Sequence, residues 1–83
     1  MTPEQDKKFN ILFGLFKSEG WEIFQNEVKT KWEAMKWNMV DQSPEKWPEI
    51  KGNISALAFI LVFEEMVKNE YNNQIESDAD DAA

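Results

Sequence analysis

Ile54-Ser55-Ala56-Leu57-Ala58-Phe59-Ile60-Leu61-Val62-Phe63 is apolar at nine of its ten positions. A helix built from this run has no polar face to give to water. It must be surrounded by protein. The run sits inside a helical pattern that begins near Pro48 and continues to about Gln74. Ile50, Ile54, Leu57 and Leu61 form one stripe of this helix, and Ala56, Phe59, Ile60, Phe63 and Val67 form a second. Two settings would cover both stripes: a place between two other helices of the chain, or the seam of an oligomer. Gly52 costs about 1 kcal/mol in a helix interior. Its presence predicts the close approach of another backbone or of a Trp ring.

Towards the N-terminus, Ser43-Pro44 and Trp47-Pro48 punctuate a connection, because the residue before a proline avoids the helical region. A short turn is expected at residues 44–47. Before it, a helix is predicted from about Glu19 to Asp41. Trp21, Phe24, Val28, Trp32, Met35 and Met39 recur at steps of three and four and make its core seam. Ile23 and Trp37 point away from that seam. Ser18 is a natural cap for this helix, Glu19 puts a negative charge in its first turn, and Gly20 relaxes the corner. A first helix spans about residues 3–17. Thr2 caps it, Pro3 fits the first helical position and Gln5 completes a capping box. It is apolar on more than one side, with Phe9, Leu12, Phe13 and Phe16 on one stripe and Ile11 and Leu15 on another. No strand alternation and no internal repeat interrupts this pattern. The expected fold is all-α, an antiparallel two-helix hairpin with a shorter N-terminal helix packed on it. Residues 1–75 make one helical domain, and residues 76–83 are expected to form a disordered acidic tail.

Eighty-three residues bury little core, so such chains commonly add disulfides, a metal or a partner. Cys is absent, which removes disulfides and thiolate metal sites. His is absent too, and with it the usual neutral-pH base and metal ligand. All nine cationic side chains are Lys, so the bidentate guanidinium fork for bases and phosphates is missing. The net charge of −7 opposes a nucleic-acid backbone. Glu76, Asp78, Asp80 and Asp81 carry −4 of it, which leaves −3 on residues 1–75.

No catalytic set emerges. Ser18, Ser43, Ser55 and Ser77 have no His to activate them. Glu64 and Glu65 are neighbours that diverge by about 100° on a helix and do not converge on a substrate. Asp78, Asp80 and Asp81 lack the glycine and the terminal Glu of a calcium loop. No catalytic, cofactor-binding or metal-ligating residue is therefore assigned, and the chain is expected not to be an enzyme. Neither a run of about 18 apolar residues nor a signal-type N-terminus is present. A membrane-surface helix would carry a Lys-rich polar face, which this mildly acidic body lacks.

What stands out is aromatic bulk. Trp21 and Trp32 lie on the seam and read as core. Trp37 and Trp47 have two readings, as lids on the edge of the core or as anchors for a partner. Ile11, Leu15, Phe59, Phe63 and Val67 exceed what a two-helix hairpin can cover. Trp37, Trp47, Phe59 and Phe63 are the candidate partner-binding residues.

Leu12-Phe13-Gly14-Leu15-Phe16-Lys17-Ser18-Glu19-Gly20-Trp21 and Ile50-Lys51-Gly52-Asn53-Ile54-Ser55-Ala56-Leu57 resemble stretches of small helical-hairpin proteins encoded among the structural and assembly genes of tailed bacteriophages. In those proteins a Gly-Trp pair opens the first long helix. A Gly followed at helical spacing by Ile and Leu lies near the start of the second. Trp32, Trp37 and Trp47 stand outside that pattern. The resemblance implies a minor virion or assembly accessory protein, in the host cytoplasm or the virion. Its partner would be a head, portal or connector protein, a host protein, or further copies of itself. The competing reading is an acidic inhibitor or adaptor that mimics nucleic acid in the basic cleft of a host enzyme. The net charge of −7 favours it, and the placement of −4 of that charge in a tail expected to be flexible counts against it.

Overall fold

The computed structural model describes the backbone of residues 1–82 and the side chains of residues 1–79. Three α-helices follow in order: α1 (Pro3–Phe16), α2 (Glu19–Asn38) and α3 (Trp47–Ala82). Single 3-10 turns at Met39–Asp41 and Pro44–Lys46 link α2 to α3. The expected all-α hairpin is present.

Local chemistry sets the helix ends. Thr2 and Gln5 form a full capping box at the start of α1. Between α1 and α2 the chain turns on Lys17 and Ser18 alone. Ser18 Oγ accepts from Trp21 N at 3.1 Å and donates to Leu15 O at 2.6 Å, so one hydroxyl serves both helix ends. Gly20 sits within α2, and no glycine has a positive φ, so the corner is made by Ser18 and not by a relaxed glycine.

α1 and α2 lie end to end along α3, both antiparallel to it. Phe9 and Phe13 pack on Tyr71, Phe16 packs on Phe63, and the N-terminal ammonium of Met1 meets the Asp78 carboxylate. Further along, the Trp21 indole N–H donates to Glu64 Oε1 at 3.0 Å, and the Gln25 amide donates to Ile60 O at 3.1 Å. The molecule is thus a hairpin whose first arm is broken at Lys17-Ser18. The 36 residues of α3 span about 54 Å at 1.5 Å per residue. That matches the longest dimension of 57 Å.

This geometry accounts for several departures from expectation. α3 contacts α1 with one half and α2 with the other, so it is never enclosed, and its apolar run is only partly covered. Among the described residues only Phe9, Val28 and Val67 are buried. Phe24 is 47 % exposed and leaves the seam. Gln25 turns inward in its place, because its amide finds the Ile60 carbonyl. α2 ends at Asn38, three residues early, where the backbone tightens into the 3-10 turn. α3 runs past Gln74 to Ala82, so residues 76–82, expected to be disordered, continue the helix. The Met1–Asp78 ion pair ties part of that extension to the start of α1. The side chains of Asp80 and Asp81, and all of Ala83, lie outside the described residues. Gly52 meets nothing: a Cβ built there has no atom within 4 Å. The close approach expected at Gly52 does not occur within the chain.

Candidate functional site

An aromatic ladder organises the middle of the hairpin. Phe16 stands 5.1 Å from Trp21 and 6.0 Å from Phe63, and Trp21 stands 6.4 Å from Phe63. These rings bridge the break between α1 and α2. Phe63 continues outward to Phe59 at 6.0 Å. Such pairs add about 0.5–1.5 kcal/mol each beyond the area they bury. The ladder therefore fixes the orientation of Phe63 and, through it, of the outer face of α3.

On that face Phe59, Val62 and Met66 are 53 %, 45 % and 47 % exposed, with Phe63 half-buried beside them. Positions 59, 62, 63 and 66 share one stripe at helical spacing. α1 adds Ile11, which is exposed, and Leu12. Ile11, Leu12 and Phe63 line a cleft of about 450 Å³, rimmed by Glu4, Lys7 and Lys8. Phe63 also joins Met66 and Val67 in a second groove that ends in Asn69, Glu70 and Asn73. Phe63 is common to both. The result is a continuous apolar surface with a mixed-charge rim, the form of a protein contact surface.

Phe59 and Phe63 are therefore brought together. Trp37 and Trp47 are elsewhere, at the hairpin-turn end. Trp37 is 76 % exposed on the outer side of α2, with exposed Val40 in the adjoining turn. Trp47 is half-buried, and its indole N–H donates to Met39 O at 3.0 Å and Gln42 O at 3.2 Å. Both carbonyls belong to the turn, so Trp47 closes the connection. Its placement follows the lid reading. Trp32 lies inside the hairpin under the Lys36 ammonium, 4.6 Å above its ring. Val62, Met66 and Val40 were missed as surface residues. The signal for the first two was their spacing of three and seven from Phe59.

The Glu64 carboxyl is perturbed. Lys68 Nζ bonds it at 2.8 Å and holds its pKa below the ordinary value, against the opposing effect of desolvation and with further help from the Trp21 N–H. This group serves as an interhelical tie. Among the described residues no three Asp or Glu side chains gather to hold a metal ion. No helix there is long and apolar enough to cross a membrane. Compared with protein-family models, curated proteins and solved structures, the chain matches none.

Proposed function

We propose that this chain is a non-catalytic protein-interaction module, a minor bacteriophage virion or assembly accessory that docks through its apolar helix faces. The observation that supports docking is the excess of surface. The chain exposes 6486 Å². A compact monomer of 9.8 kDa exposes roughly 5,200 Å². Its radius of gyration is 17.6 Å, against about 12 Å for a globular chain of this length. Ile11, Phe59, Val62 and Met66 are among the large apolar side chains left open. A folded chain with this much apolar area in water gains most by covering it with another protein. The phage setting rests on the likeness of residues 12–21 and 50–57 to phage hairpin proteins.

Co-sedimentation with phage head, portal or connector proteins tests the reading. Docking through an apolar face survives raised salt and is lost when Phe59 and Phe63 are replaced by Ser. Binding that ignores both substitutions overturns it.

A second reading, an acidic inhibitor of a host enzyme, draws support from the helical continuation of α3 through Glu76 and Asp78. A rigid helix presents charge at fixed spacing, as a phosphate array does. In that case removing residues 76–83 abolishes binding and its salt sensitivity. A packing-driven module keeps its binding when those residues are removed.

A further inference from the structure

Four observations on α3 point to one occupant of its open face. First, Gly52, Ser55, Phe59, Val62 and Met66 recur at steps of three, four, three and four, the seam of a coiled coil. None of them is buried by the chain itself. Second, the seam is graded, with small residues at its N-terminal end and bulky ones at its C-terminal end. Third, Gly52 sits in the second turn of α3 with open space where its side chain would be. Nothing within the chain explains a glycine there. Fourth, Lys51 and Glu65 flank the same edge of the seam, both exposed and neither ion-paired among the described residues.

We infer that the face is covered by a second copy of this chain, α3 packed antiparallel on α3 about a two-fold axis level with Leu57. This rests on the docking reading above and names its partner. In this register Gly52 lies opposite Val62 of the other copy and Ser55 opposite its Phe59, so each small residue receives a large one. Ala56 meets its own counterpart near the axis, where two small residues let the backbones close in. Lys51 faces Glu65 of the other copy, and the symmetry makes this ion pair twice. A two-fold contact requires this self-complementarity: what one end of the patch lacks, the other end supplies.

The glycine makes the test independent of folding. Within the chain Gly52→Leu replaces a poor helix former with a good one and meets no obstacle. It should therefore raise helicity and the thermal midpoint of the monomer. In the dimer the same side chain occupies the place of Val62 from the other copy. Sedimentation equilibrium of the full chain is expected to show a dimer of twice 9.8 kDa. Gly52→Leu and Phe59→Asp should each weaken it at least tenfold. Lys51→Glu should weaken it severalfold, and adding Glu65→Lys should restore it. A wild-type chain that stays monomeric into the high micromolar range overturns the inference. So does a dimer that both Gly52→Leu and Phe59→Asp leave intact. If the chain is monomeric yet binds a phage protein through Phe59, self-pairing fails while the docking reading stands. If neither self-association nor docking responds to Phe59→Asp, both fail.

Discussion

The two sides of α3 are equally greasy and have opposite fates. On one, Ile60, Val67 and Tyr71 meet α2 and α1, and Val67 is buried. On the other, Phe59, Val62 and Met66 face water. The difference does not lie in residue type. It lies in where the helices pack: α1 and α2 lie end to end along one side of α3, and among the described residues no further helix covers the other. Hydrophobicity states that a surface needs cover. Chain length and the break at Lys17-Ser18 decide how much cover the molecule can give itself.

The contrast can be tested by cutting each side. The largest effect belongs to the covered side. Phe9 is 3 % exposed between Phe13 and Tyr71, so Phe9→Ala should cost about 3–5 kcal/mol in urea unfolding. Next is the corner that places α1 and α2 on the same side. Ser18→Ala removes the cap for Trp21 N and should cost about 1 kcal/mol by the same measurement. Trp47→Phe keeps the ring but loses the N–H that holds Met39 O and Gln42 O. A loss of about 0.5–1.5 kcal/mol is expected, with the turn of α2 into α3 showing faster amide exchange. On the open side Phe59→Ser should cost the monomer about 0.5–1.5 kcal/mol, the worth of its pairing with Phe63. A cost as large as that of Phe9→Ala would erase the distinction between the two sides. Smallest is the pH effect. The Glu64 pKa is lowered in the folded chain, so its contribution is present at neutral pH and is lost as pH falls through the folded value. Glu64→Gln should flatten that acid limb in a thermal-melt series.

Much of the local structure was legible beforehand. Thr2, Gln5 and Ser18 announced their caps, since a side chain that bonds its own helix end needs no tertiary partner. The Pro-punctuated connection and the outward placement of Ile23 and Trp37 were equally readable. The misplacements all depend on the partner helix. Phe24 fits the helical wheel as well as Gln25 does, but only the Ile60 carbonyl across the groove favours the amide. Gly52 was expected to have a close neighbour, and the chain brings none. At the site, Phe59 and Phe63 were found together because they share a helix face. Trp37 and Trp47 were grouped with them on aromatic bulk alone, and the fold separates them.

By itself the sequence determined that the chain is helical, where each helix starts and that reactive His and Cys chemistry is missing, because these follow from residue identity and neighbours a turn away. The tertiary structure alone decided that α1 and α2 share one side of α3, leaving Phe59, Val62 and Met66 uncovered. That outcome depends on the direction in which α1 leaves a two-residue corner, which packing of Phe16, Trp21 and Phe63 sets across more than forty residues of chain.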